Sequence, residues 1–303
     1  MKHLTIDTEH TQPPTRDYPT AKQLPNSLPG AKETKIHPRN SAGEENASLF
    51  FVGTATTIFD HFDQKVEASL RRDLPIITTP HAQSHLSSKG PGEAFRDVYA
   101  LDFFESMFVD IVPGYKTSDL RENIESKAPE KKPSVRVTGM PGKHVPPGVL
   151  GTANDLLKAV PPTNGWMVEL GYGLKGGNDD DFESAYRIYI SGDTLMVDEL
   201  KEIPSRYSTP TKAGHHIDLM LIHLGGTTIP SPSLPLLMVT MDANQGVELL
   251  RLINPDVAIP IHYDDYDVFL SPLSDFKKAV EEAGLGEKIV YLDRKDEYRF
   301  QVP

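Results

Sequence analysis

"PDVAIPIHY", residues 255–263, is the stretch from which the fold can be read. It reads as a strand ending in His262, with Tyr263, Asp264 and Asp265 directly behind it. An amphipathic helix, "DANQGVELLRLIN" (242–254), leads into it. A second helix, "PLSDFKKAVEEAGL" (272–285), follows and is closed by Gly284. Further upstream, "GWMVELGYG" (165–173) and "SAYRIYISGDT" (184–194) flank a Gly- and Asp-rich turn, which predicts a hairpin. A short helix near 197–203, a strand at 217–223 and strands near 289–292 and 298–302 complete this half. Strands and helices are mixed and several hairpins occur, which favours a layered sheet-and-helix fold over a purely parallel one.

The first half is less regular. Residues 1–46 are rich in Pro, Thr, Lys and Glu without an apolar period, so they predict a disordered leader before a domain at 47–303. "SLFFVGTATTI" (48–58) has strand composition. "HFDQKVEASLRRD" (61–73) has helical spacing at Phe62, Val66 and Leu70, and "LPIITTP" (74–80) reads as a short buried strand. "FESMFVDIVP" (104–113) and "SVRVTGM" (134–140) are strands around a polar surface insertion, and the latter runs into the rigid loop "PGKHVPPG" (141–148).

Composition removes several functions. The 303 residues carry 31 Lys and Arg against 43 Asp and Glu, a net charge of −12 that repels nucleic-acid phosphates. The absence of cysteine excludes disulfides, thiolate zinc knuckles and a Cys nucleophile. A metal would therefore be held by His, Asp and Glu, a donor set that suits zinc, manganese or iron. No apolar run spans a bilayer and no signal peptide is evident, so a soluble cytoplasmic protein acting on a small-molecule or lipid-like substrate is expected.

Four stretches place a hard or imidazole donor just beyond a strand: Asp60-His61, His144 in "GKHVPP", Asp193 in "ISGDT" and His262 in "AIPIHYDD". Strand ends deliver side chains to one rim of a sheet, where a rigid site can form. Each has a plainer reading. Asp60 can cap the helix that follows, His144 can be a polar loop residue, and Asp193 can be an ordinary turn residue. His81 and His85 in "PHAQSHL" are four apart and could share a helical face, although nearby proline and glycine favour an irregular loop. His215-His216 and His223 read as structural, and "NDDDFE" (178–183) as a solvated hairpin tip. Ser191 has no His-Asp partners for a serine hydrolase.

In this order and spacing the four stretches resemble the metallo-β-lactamase superfamily. "FVGTATTI", "SGDT", "LIHLGG" and "PIHYDDYDVF" look most like the branch of sugar-phosphate lactonases and N-acylphosphatidylethanolamine phospholipase D. The resemblance spans roughly 48–302. It implies an αββα four-layer sandwich and hydrolysis of an ester, lactone, amide or phosphodiester by a metal-activated hydroxide. Carried over, Asp193 bridges two metals, His144 binds the first, and Asp60, His61 and His262 bind the second; Asp60 and Asp193 are the catalytic carboxylates.

One departure is large. In the His-x-His-x-Asp-His cluster of this superfamily, the first two histidines would fall at Thr56 and Ile58 here. Members of the branch carry several dozen residues between the strand and the Asp-His pair, whereas here only Phe59 intervenes. An internal deletion describes this most simply, and it implies a shortened first sheet. The second metal keeps four ligands and the first only His144 and Asp193, so one ion is expected rather than two. A non-catalytic pseudoenzyme or truncated product is the competing reading.

Overall fold

The computed structural model describes residues 2–7, 32–38, 47–50, 70, 72, 75–112, 131–146, 148, 151–152, 154, 156, 160–174, 181–231, 233–264 and 269–303. The strands are β1 (Lys2–Asp7), β2 (Thr34–Ile36), β3 (Ala47–Phe50), β4 (Ile76–Thr78), β5 (Val98–Ala100), β6 (Ser106–Val112) and β7 (Lys131–Met140). They continue with β8 (Gly165–Leu174), β9 (Glu183–Ile190), β10 (Leu219–His223), β11 (Thr228–Ser231), β12 (Leu234–Met238), β13 (Val257–Ile261) and β14 (Glu297–Phe300). Among the described residues, the α-helices are α1 (Pro80–Ser87), α2 (Glu202–Arg206), α3 (Ala243–Ile253) and α4 (Leu273–Glu282).

The predicted hairpin is β8–β9, antiparallel with a register shift at Leu170/Gly171. It forms the middle of a seven-stranded sheet ordered β1-β6-β7-β8-β9-β10-β13. Strands β9, β10 and β13 run parallel to one another. Their side chains alternate with the period of two that a strand imposes. Tyr189, Met220, Ile222 and Ala258 face α3 and α4, packing with Val247, Leu250, Phe276 and Val280. Tyr186, Leu219, Val257 and Ile259 face the other way, onto Tyr298 and Phe300 of β14. The second sheet has the order β2-β14-β3. Helices, large sheet and small sheet are thus three layers of the αββα order among the described residues.

Helix α3 forms where its sequence predicts. Asp242 caps it by accepting from the Gln245 N–H at 2.9 Å, and Asn254 ends it with φ of 47°. The central sheet also buries charge. Arg136, Glu169 and Arg187 are register partners on β7, β8 and β9. Glu169, fully buried, meets Arg136 at 2.6 Å and Arg187 at 2.8 Å. Burial raises its pKa, but the two guanidinium groups outweigh that and hold the carboxyl below its ordinary range.

Several expectations need correction. Among the described residues of 1–46, β1 pairs with β6 and β2 pairs with β14. Composition misses them because their hydrogen-bond partners lie far away in sequence, and an edge strand needs little apolar content of its own. Near 289–292 the described contact is a single parallel bridge, Ile289 to Ala258, and no strand forms. The "PHAQSHL" segment is helical: Thr79 caps α1 by accepting from the Ala82 N–H at 3.1 Å. Pro80 sits at the first helical position, where its missing N–H costs nothing. The predicted helix at 61–73 lies almost wholly outside the described residues.

Candidate metal centre

Two turns build the site. After β9 the chain bends at Gly192, whose φ is +65° and where a Cβ would fall 2.3 Å from the Asn164 carbonyl oxygen. Only glycine fits this bend, which turns Asp193 into the interior, where it is 3% exposed. Thr194 fastens the turn. Its hydroxyl accepts from the Lys143 N–H at 2.9 Å and its carbonyl accepts from the Met241 N–H at 3.0 Å. The Leu195 N–H donates to the Lys143 carbonyl at 2.9 Å. The loops carrying His144, Asp193 and Val239 are therefore laced together by backbone.

His262 follows β13 directly, in the left-handed region at φ of 62°. That conformation costs a non-glycine residue on the order of 1–3 kcal/mol. The fully buried side chain is held from three sides. Its Nδ1 lies 2.8 Å from the Leu224 carbonyl, its Nε2 lies 3.3 Å from Asp193 Oδ2, and Phe269 packs edge-on with ring centroids 4.8 Å apart. Gly225, at φ of +107°, permits this, because a Cβ there would meet the His262 carbonyl oxygen at 2.5 Å.

His144 repeats the arrangement. It is buried, and its Nδ1 lies 2.8 Å from the Val239 carbonyl. A carbonyl can only accept, so both histidines carry a proton on Nδ1 and, when neutral, a lone pair on Nε2. This is the tautomer of a metal-binding imidazole whose other nitrogen is anchored.

The structure thus joins Asp193 to His262 and brings the His144 loop against the Asp193 turn. Asp60 and His61 lie outside the described residues. Among the described residues, no group of three or more His, Asp or Glu converges closely enough to hold a metal, and this includes His81 and His85, whose rings are 4.7 Å apart on α1. The donor chemistry fits a divalent ion in residue type, tautomer and burial. What the described residues supply is a contacting pair and a third imidazole on an adjoining loop.

His223, which the sequence suggests is structural, packs against this pair. Its ring centroid is 5.6 Å from that of His262, and Ser191 Oγ accepts its backbone N–H at 2.9 Å. Burial pushes its pKa down to about 4; Asp193 opposes that shift and His262 adds to it. The signal was present: "LIHLGG" ends a buried strand in histidine just as "AIPIHY" does.

The layered α/β fold and the strand-end site together define a protein of the metallo-β-lactamase fold. No family model matches the chain. A UPF0173 metal-dependent hydrolase of Methanospirillum hungatei is 27% identical over 139 residues, 45% of this chain and 54% of that protein. One from Methanopyrus kandleri is 34% identical over 111 residues, 37% of this chain and 40% of that protein. The chain therefore spans about half the length of the curated relatives it matches. Among solved structures, an isothiocyanate hydrolase from Delia radicum gut bacteria has a TM-score of 0.53 at 14% identity, covering 80% of this chain and 72% of its own. A possible metal-dependent hydrolase from Veillonella parvula has a TM-score of 0.52 at 17% identity, covering 82% and 74%. Among the described residues, no helix is long and apolar enough to cross a membrane.

Proposed function

We propose that this chain is a metal-dependent hydrolase of an ester, lactone, amide or phosphodiester. The observation that carries the reading is the buried contact between Asp193 Oδ2 and His262 Nε2, with His262 Nδ1 anchored on a backbone carbonyl. The similarity to metal-dependent hydrolases supports it. His262, Asp193, His144 and, from the sequence, Asp60 and His61 are the residues that would hold the ion. Zinc suits the donors, with manganese or iron as alternatives.

When bound, such an ion lowers the pKa of water and polarises the scissile group. The chain's own part is to hold its donors. The Leu224 and Val239 carbonyls keep Nδ1 protonated, and Gly192 keeps Asp193 inward. Asp60, directly before His61, orients the attacking water. Within the superfamily the sequence favours the lactonase and phospholipase D-like branch, with the segment between Ile58 and Asp60 deleted.

Hydrolysis of p-nitrophenyl ester and bis-p-nitrophenyl phosphate reporters tests the reading. Activity should appear with zinc or manganese, vanish with chelator and fall sharply in Asp193→Asn. Metal-independent turnover would overturn it. The competing reading, drawn from the sequence, is a pseudoenzyme that folds but turns over neither reporter with any metal.

A further inference from the structure

Burial and hydrogen bonding agree for most of the threonines. Among the described residues, Thr79, Thr138, Thr194 and Thr211 are buried, and each hydroxyl has a partner within the protein. Thr227, Thr228 and Thr240 are the exceptions. They are 8%, 5% and 1% exposed, and Oγ1 of each meets no hydrogen-bond partner. A buried hydroxyl left unbonded costs free energy, so three of them in one place need a reason beyond packing.

All three lie on one pair of segments, 226–228 and 238–241, which also adjoins the anchors of the site histidines. Thr228 and Met238 are register partners in the β11–β12 ladder. The Val239 N–H donates to the Thr227 carbonyl at 2.8 Å, and the Gly226 N–H to the Met241 carbonyl at 3.0 Å. Leu224, just ahead of the first segment, anchors His262 Nδ1 through its carbonyl, and Val239, in the second, anchors His144 Nδ1, both at 2.8 Å.

Thr240 has the most telling position of the three. On one side of it, the Val239 carbonyl holds the His144 ring. On the other, the Met241 N–H donates to the carbonyl of Thr194, the residue after Asp193, at 3.0 Å. Thr240 is thus one residue from a bond to His144 and one residue from a bond to the Asp193 turn. We propose that the Thr240 hydroxyl is a substrate-binding group of the candidate metal centre, donating a hydrogen bond to an anionic oxygen of the scissile group between the His144 loop and the Asp193 turn. The proposal rests on the hydrolase reading and adds to it the group that recognises a substrate oxygen.

The chemistry suits the place. The Asp193 carboxylate and the Nε2 lone pairs of neutral His144 and His262 accept hydrogen bonds or bind cations, so none of them donates to a substrate oxygen. A threonine hydroxyl donates at any working pH, because it does not titrate. Fixed in a buried site, it meets developing negative charge without the reorganisation that water requires.

Three variants of the full chain test this. Thr240→Val keeps the shape and removes the hydroxyl, whereas Thr240→Ser keeps the hydroxyl. Ser184→Ala is the control: it removes another partnerless hydroxyl, near the start of β9 and far along that strand from Asp193. With each protein equilibrated with zinc, calorimetry reads the binding of inorganic phosphate and bis-p-nitrophenyl phosphate reads kcat/KM. Melting temperature and zinc content report on the fold and the metal. Thr240→Val should bind phosphate about 10–100-fold more weakly and lose kcat/KM by a similar factor. Its melting temperature and zinc content should match wild type, since removing a hydroxyl without a protein partner strands no other group. Thr240→Ser and Ser184→Ala should stay close to wild type throughout. Unchanged phosphate affinity in Thr240→Val, a fall of several degrees in its melting temperature, or a Thr240→Ser protein that behaves like Thr240→Val would each overturn the proposal, as would a wild type that binds no phosphate. A wild type that binds phosphate through Thr240 but hydrolyses no reporter would support the role of the hydroxyl and count against the hydrolase reading instead.

Discussion

Strand β13 has Asp–His contacts at both of its ends, and the two ends are built differently. At the C-terminal end, Asp193 meets a histidine whose Nδ1 is fixed by a backbone carbonyl and whose backbone sits at positive φ beside Gly225. At the N-terminal end, one carboxylate meets two histidines, one of them from β2's segment. The first arrangement presents a defined tautomer with its lone pair inward, as a metal requires. The second brings a distant piece of chain against the core through imidazole–carboxylate contacts. On the proposed reading, the same pair of residue types serves metal binding at one end and contact with the β2 segment at the other.

The largest effect that can break this comparison lies at the binding end. His262→Ala should remove most bound metal, an affinity loss at or beyond the ~10–100-fold typical of outer ligand partners. His37→Ala should leave metal affinity unchanged. Equal losses would erase the distinction between the ends. Tyr298→Ala, at the end that meets the β2 segment, removes a fully buried ring that packs against Tyr186, Phe300 and His37. It should cost about 3–5 kcal/mol in denaturant titration. A cost below about 1 kcal/mol would mean that β14 does not cover the large sheet as described.

Gly225→Ala comes next, at about 1–3 kcal/mol. Its Cβ collides with the His262 carbonyl, so metal binding should weaken along with stability. An unaffected metal titration would show that the turn does not position His262. Removal of residues 1–46 deletes β1, β2 and His37 and should lower the melting temperature by several degrees; an unchanged transition would restore the view of this stretch as a leader that packs on nothing.

The smallest effect concerns the sign of pH dependence. His223, lowered to about 4, contributes stability at the site end that is present above about 6.5 and lost as pH falls through about 4. Asp218, just before β10 and pushed up to about 7 by burial, acts oppositely at the other end. In metal-free protein, His223→Gln should reduce destabilisation on the acid side only, and Asp218→Asn should reduce it on the neutral side only. Identical profiles for the two variants would contradict the opposed signs.

Residues 165–303 were largely legible from sequence because their elements are signalled locally. The alternation around Tyr186 and Tyr189 marks a strand facing two layers, the Asp242 and Asn254 caps bound α3, and Gly284 stops α4. His262 and Asp193 were readable because each follows a strand with a turn residue beside it. Long-range pairing was not legible. Nothing within "KHLTID" announces β6 as its partner, and the β11–β12 hairpin is hidden in "TTIPSPSLPLLM" by prolines that ordinarily argue against strands. His37 and His215 were missed as partners because 177 residues separate His215 from His37, and the two meet at Asp256. Asp60 and His61 lie outside the described residues, so their assignment still rests on the sequence alone.

Metal stoichiometry of the purified full chain, measured by mass spectrometry with zinc and manganese present, bears most directly on the central claim. Close to one ion per chain is expected, falling to near zero in His262→Ala and little changed in His144→Ala, because the sequence resemblance assigns four donors to the ion at His262 and only two to the ion at His144. Two ions per chain, or equal losses in the two variants, would contradict the asymmetric site. No bound ion would contradict the hydrolase itself.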